Sequence, residues 1–152
     1  MRVELRQALP DDAPVCHRLD HACFPPEVAY DEDGFVELCE MAPVYWIAEH
    51  RGRMVGFVAA DLDQANNHAL IITLDVDPDC RRRGIGSALM EKAESEIGKQ
   101  GVRRIYLHLY IPHYAARCLY EQRGYRPVGV LPGYYGNEVD ALLMVKQLQE
   151  DE

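Results

Sequence analysis

The 152-residue chain has no apolar run approaching the ~20 residues that cross a bilayer, and its polar start, MRVELRQ, lacks the apolar core of a signal peptide. Neither a membrane partner nor secretion is expected. Its five cysteines (Cys16, Cys23, Cys39, Cys80 and Cys118) are odd in number and contain no CxxC pair. That pattern argues against a disulfide framework or a zinc knuckle and leaves packed thiols in a reduced, cytoplasmic protein without a metal. Linkers, repeats and low-complexity segments are absent as well. With 48% hydrophobic and 27% charged residues, the composition predicts one folded domain over 1–152.

Basic residues are scarce, 16 against 25 acids, and the formal net charge is −9. General nucleic-acid binding is therefore not expected. The charge is unevenly spread. Residues 1–80 hold 16 acids and 5 bases, whereas residues 81–152 hold 9 acids and 11 bases. A cationic partner at the first half and an anionic one at the second suit this split.

What is present alternates between two periods. RVELRQAL reads as a strand, and DDAPVCHRLDHACF as a helix with Val15, Leu19 and Ala22 at helical spacing. The prolines of FPPE end it, and DEDGFVELCEM forms a second helix with Phe35, Leu38 and Cys39 on one face. VYWIAEH and MVGFVAADL flank the turn RGR, and ALIITLDV is rich in β-branched residues. GIGSALMEKAESEIGKQG places Ile85, Leu89, Ala93 and Ile97 on one stripe. RRIYLHLYI, AARCLYEQRG, PVGVLPG and DALLMVKQL complete a β-α-α-β-β-β-α-β-α-β-β order. This predicts an α/β (α+β) fold, a mixed sheet of about seven strands with helices on both faces.

The stretch CRRRGIGSALM sets positive charge beside a glycine-rich turn, between a strand and a helix. Free backbone N–H groups at a helix start favour anions. Gly84 and Gly86 remove Cβ atoms that would hold a ligand off, and the arginines add charge-assisted bonds. Together these residues predict a phosphate cradle. GxxxxGK[ST] is missing, and Leu89 stands where GxGxxG needs its third glycine, so neither a triphosphate loop nor a dinucleotide fingerprint fits. Along RIYLHLYI, Ile105, Leu107, Leu109 and Ile111 share one face and Tyr106, His108 and Tyr110 the other. A histidine between tyrosines on the less apolar face suits a cleft, and its ordinary pKa suits proton transfer.

RRRGIGSALM resembles the [Q/R]-x-x-G-x-[G/A] signature of the GNAT superfamily of N-acetyltransferases, and the element order is similar across nearly the whole chain. LDVDPDCRRRGIGSALM, AARCLYEQRGY and GYYGNEVDALLM look most like the branch that acetylates protein N-termini, including ribosomal-protein alanine acetyltransferases. The resemblance implies acetyl-CoA as donor, its pyrophosphate held by the backbone of Arg82, Arg83, Gly84, Ile85, Gly86 and Ser87, with Arg81 alongside. It implies pantetheine lying in a splay between two parallel strands and bonded to the backbone of Val76. His108 matches the place of a base, and Tyr120 the tyrosine that donates a proton to the departing sulfur. Asp75, or water, is the alternative base. Phe24 and Pro25 match a loop touching the acceptor, and Tyr134 and Tyr135 a tyrosine pair lining the same groove.

The sequence departs from that pattern in two places. Pro112 and His113 stand near where relatives carry an asparagine that helps hold the coenzyme, and position 70 is leucine where some eukaryotic relatives have a catalytic tyrosine. The acceptor implied is the α-amino group of a peptide or protein. A small amine (polyamine, amino acid or aminoglycoside) is the alternative, and a non-catalytic acyl-CoA-binding module is the third reading.

Overall fold

The computed structural model describes residues 1–136 and 139–149, so Asn137 and Glu138 of the GYYGNEVDALLM stretch lie outside the described residues. Seven strands form one sheet: β1 (Glu4–Gln7), β2 (Val44–His50), β3 (Arg53–Asp63), β4 (His68–Val76), β5 (Arg104–Tyr110), β6 (Arg126–Leu131) and β7 (Ala141–Gln147). Four helices accompany them: α1 (Ala13–Cys23), α2 (Glu32–Met41), α3 (Ile85–Lys99) and α4 (Tyr114–Gln122). The spatial order is β1-β2-β3-β4-β5-β7-β6. Among the described residues, only the β4–β5 pair is parallel.

Local chemistry sets several boundaries. Arg51 and Gly52 both have positive φ, 53° and 75°, which is what a two-residue turn matched to the strand twist requires between β2 and β3. Asp31 caps α2 by accepting from Gly34 N at 2.7 Å. After α3 the chain reverses at Gly101, with φ of 81°.

Helices cover both faces of the sheet, as the alternating pattern predicts. Ile85, Leu89, Ala93 and Ile97 of α3 pack with Ile105, Leu107 and Leu109 of β5 in the larger core. The smaller core joins Phe35, packed against by Leu38 and Cys39, to Phe57 and Ile47. The α1 stripe differs from the one expected. Ala13, Cys16, Leu19 and Asp20 are buried, while Val15 is exposed and Ala22 faces solvent. Spacing alone fixes a period and leaves the phase to packing. Ile111 departs too: β5 ends at Tyr110, and Ile111 is exposed.

An irregularity in β4 moves the site. Ala60 pairs with Ile71 and Ala59 with Thr73, so Ile72 is an extra residue in the ladder. Before the bulge Ala69 and Ile71 face the α3 core; after it Leu74 and Val76 pack there. Alternation slips by one, and Thr73 and Asp75 turn toward α1. The far end of α4 is fixed by Glu94 of α3, whose carboxylate accepts from Arg123, Tyr125 and Lys146. Burial pushes Glu94 up, but the bonds from Arg123 and Lys146 leave it below its ordinary value.

Candidate active site

β4 and β5 pair only from His68 to Ile71 against Arg104 to Leu107. Past that point they diverge, and a parallel pair that parts leaves a cleft in the sheet. Two cavities open there from opposite sides, sharing Leu74, His113 and Ala116 as common walls.

The larger cavity, about 550 Å³, runs between α3 and α4. Val76, Arg81, Arg82, Gly84, Ile85, Gly86, Ser87 and His113 line it. Asp77 braces the loop that leads in: it accepts from Asp79 N at 2.9 Å and pairs with Arg53. Arg82 and Gly84 have φ of 65° and 78°. A left-handed arginine is an uncommon, strained backbone state, and such states gather where a loop must present its amides in one particular way. Gly84 is the N-cap of α3 in that conformation, and a Cβ there would meet nothing within 4 Å. Gly86 is different: a Cβ would stand 2.8 Å from Leu119 Cδ2. Its bareness therefore also serves the approach of α4 to α3. The cradle has room, donors and two arginines for a pyrophosphate.

The smaller cavity, about 90 Å³, lies on the α1 side. Phe24, His108, Tyr120, Tyr134 and Tyr135 line it, with Asp20, Val28 and Tyr30. The His108 and Tyr134 rings are 4.5 Å apart, Tyr134 and Tyr135 meet edge to face at 4.9 Å, and Tyr135 does the same with Tyr110 at 5.8 Å. Tyr135 also donates its hydroxyl hydrogen to the backbone oxygen of His108, at 3.4 Å. Burial lowers the His108 pKa, so the imidazole is neutral near pH 7 and can accept a proton. Burial pushes the Tyr120 hydroxyl well up, so it keeps its proton and can donate it.

His113 stands where the cavities meet. Its Nδ1 caps α4, accepting from Ala116 N at 3.2 Å, and its ring lies 5.7 Å from that of Phe24. Burial, and secondarily Arg81, lower its pKa, which keeps Nδ1 free to accept. Three expected site residues are placed apart from the cavity assigned to them. Arg83 does not line the larger cavity, Tyr120 lines the smaller one instead, and Pro25 lies outside the smaller one. Asp75, the alternative base, lies near the end of β4 and is 1% exposed, beneath α1. Residue order did not single out Asp20, Val28 and Tyr30 of the smaller cavity, or Cys23 and Cys118 of the larger one, which Cys80 also lines.

The sequence pattern of the acetyltransferase (GNAT) family matches residues 8–125, which carry the cradle, the splay and both cavity walls up to α4. The chain belongs to that family. Among curated relatives, an N-acetyltransferase of Methanocaldococcus jannaschii described as uncharacterized is 36% identical over 104 residues, 68% of this chain and 65% of its own. The [Ribosomal protein bS18]-alanine N-acetyltransferase of Escherichia coli is 33% identical over 97 residues, 61% of this chain and 64% of that protein. The chain thus spans a little under two thirds of these two relatives. Among solved structures, the ribosomal-protein-S18-alanine N-acetyltransferase from Escherichia coli superposes with a TM-score of 0.87 at 22% identity, covering 99% of this chain and 97% of that one. Arabidopsis thaliana NAA60 in complex with acetyl-CoA gives 0.83 at 25% identity, covering 96% and 98%. These likenesses match the observed GNAT fold.

Proposed function

We propose that this GNAT protein transfers acetyl from acetyl-CoA directly to a primary amine, and that the amine is the α-amino group of a peptide or protein. The observation carrying this reading is the meeting of two unlike cavities at one splay: a glycine–arginine cradle on one side, a histidine–tyrosine pocket on the other. The acetyl-CoA of the NAA60 complex and the ribosomal-protein alanine in the name of the bS18 relative support the donor and acceptor classes.

In this reading the pyrophosphate lies against the amides of residues 82–87, with Arg81 and Arg82 adding charge, and the acyl arm runs past Val76 toward Leu74. The amine enters beside Tyr134 and gives a proton to His108, directly or through water. Its nitrogen attacks the thioester carbonyl and loses its second proton to solvent; the C–N bond forms, the C–S bond breaks, and Tyr120 donates its proton to the departing thiolate and regains one from His108, directly or through water. An α-amine, with an ordinary pKa near 7.7–8, is within reach of one neutral imidazole, whereas a lysine near 10.4 is a harder substrate. The test is thiol release from acetyl-CoA across short peptides with different first residues and small amines. Faster acetylation of spermidine or free amino acids than of every peptide would replace the peptide reading with the small-amine one. No release with any amine, alongside tight acetyl-CoA binding, would leave a binding module.

A further inference from the structure

Two carboxyl groups outside this chemistry meet beneath the acceptor pocket. Asp20 of α1 and Asp75 of β4 are each 1% exposed, and the Asp20 side chain lies within hydrogen-bonding reach of Asp75. Each has one oxygen satisfied: Tyr30 N donates to Asp20 Oδ2 at 2.8 Å, and Thr73 Oγ1 donates to Asp75 Oδ1. The remaining two, Asp20 Oδ1 and Asp75 Oδ2, are sealed from solvent and find no donor among the described residues. Two buried carboxylates cannot both stay ionised side by side, and a single proton between them supplies the missing donor.

We propose that Asp20 and Asp75 share one proton between these two oxygens, and that the pair is a positioning latch that fastens the Phe24–Tyr30 wall of the acceptor pocket to β4. It rests on the acetyl-transfer reading only for the pocket's occupant. The latch runs from β4 through the shared proton to Asp20, and from Asp20 to the Tyr30 amide; Phe24, Val28 and Tyr30 line the pocket. Since the facing oxygens are sealed off, the acceptor does not touch the proton. The pair acts through the wall.

The groups facing Asp75 agree with a protonated pair at neutral pH. Burial, then Asp20, raise its pKa well above the ordinary value, opposed by Thr73 and by Arg81 of the cradle loop. The other titratable neighbours are Cys16 and Cys23 of α1, Tyr30, Tyr45 of β2 and Tyr120 of α4, all uncharged in that range. Loss of the shared proton sets two carboxylates against each other and loosens the Tyr30 tether. Stability and acceptor binding therefore both decline as pH rises through the raised value, while acetyl-CoA binding does not.

Asparagine is the diagnostic replacement, because its amide can donate where the proton did. In Asp75→Asn the Oδ1 still accepts from Thr73 and the amide donates to Asp20; in Asp20→Asn the Oδ1 accepts from Tyr30 and the amide donates to Asp75. Either single variant should fold, lose the decline in thermal stability with rising pH, and keep the Tyr30 amide protected from hydrogen exchange. The double variant sets two amide donors face to face and should be less stable than either single change predicts. Infrared spectroscopy of the wild-type protein at neutral pH should show a carboxylic-acid carbonyl band that both single variants lack. Absence of that band, its survival in either variant, or additive behaviour in the double variant would overturn the pairing. If the band is present but the Tyr30 amide exchanges equally fast in wild type and Asp20→Ala, the latch is overturned. These readouts need no turnover, so failure of acetyl transfer leaves them intact; where turnover is measured, the amine KM should rise with pH in wild type and stay flat in Asp75→Asn.

Discussion

Gly86 and Leu119 meet across the mouth of the donor cavity so closely that a Cβ on Gly86 would come within 2.8 Å of Leu119 Cδ2. The contact joins the first turn of α3 to α4, the helix that carries Tyr120. Gly86→Ala should gain about 1 kcal/mol of helix propensity and lose about 1–3 kcal/mol to overpacking, a small net destabilisation. Leu119→Ala in the same chain should relieve the clash. Calorimetry with acetyl-CoA on both variants separates the two duties of Gly86. Restored stability with affinity still reduced means that the Cβ also obstructs the coenzyme; restored affinity means that packing was its whole effect.

His113 offers a prediction about pH. Its Nδ1 accepts from Ala116 N only while unprotonated. Burial and Arg81 lower its folded-state pKa from the ordinary 6.5, so the unfolded chain takes up the proton first as pH falls. The cap's contribution is complete above about pH 6.5 and is lost below it. His113→Ala should cost about 1 kcal/mol at neutral pH, whereas His113→Asn should retain the cap and flatten the acid side of the stability curve. Denaturant titrations between pH 5 and 8 check both; an unchanged acid limb in His113→Asn rules out the cap as its source.

Much of this candidate site could be read from residue order, because the glycine–arginine turn and His108 both sit on regular periods. RRRGIGSALM places a bare turn before a helix, and strict alternation puts His108 opposite Leu107 and Leu109, as observed. The Asp20–Asp75 meeting could not be read that way. Period-two counting puts Asp75 on the side of Ala69 and Ile71, and only the extra residue at Ile72 turns it toward α1. Asp20 was equally hidden, since an aspartate in a helix is by default a solvent residue, and burial here depends on a partner 55 positions away. The cap made by His113 needs the α4 boundary to within a residue, finer than spacing provides.

The proposed proton-transfer roles of His108 and Tyr120 predict separable kinetic losses. His108→Ala should lower kcat by roughly 10²–10⁴-fold and remove the acid limb of the rate profile that a lowered imidazole pKa sets below neutrality. Tyr120→Phe should lower kcat with little change in acetyl-CoA affinity, because Tyr120 lines the acceptor-side cavity. Full activity in the doubly substituted protein would leave positioning alone as the source of rate.

Cysteine nucleophiles are the obvious rival route, since Cys23 and Cys80 both line the donor cavity. Burial pushes the Cys23 thiol up to about 12, and its Sγ donates to Val76 O at 3.2 Å. A thiol in that state is a poor nucleophile at neutral pH. Cys80 is itself buried, between Asp79 and the arginines. Cys23→Ala and Cys80→Ala should each keep most of their turnover, and mass spectrometry of protein quenched with acetyl-CoA should find no acetyl adduct. An adduct on either residue would establish a two-step transfer.

Tyr135 tests the acceptor pocket itself. Its ring braces Tyr134, which in turn lies 4.5 Å from His108, while its hydroxyl holds the His108 backbone at 3.4 Å. Tyr135→Phe removes only the long hydroxyl bond and should change little. Tyr135→Ala removes the brace, so Tyr134, half exposed and without its edge contact, should no longer define the pocket wall. The amine KM should then rise several-fold and kcat fall modestly through His108, with the acetyl-CoA KM unchanged because neither tyrosine lines the donor cavity. A rise in both KM values would mean that the loop holds the two cavities together, and the tyrosine pair would then be scaffolding rather than a site for the amine.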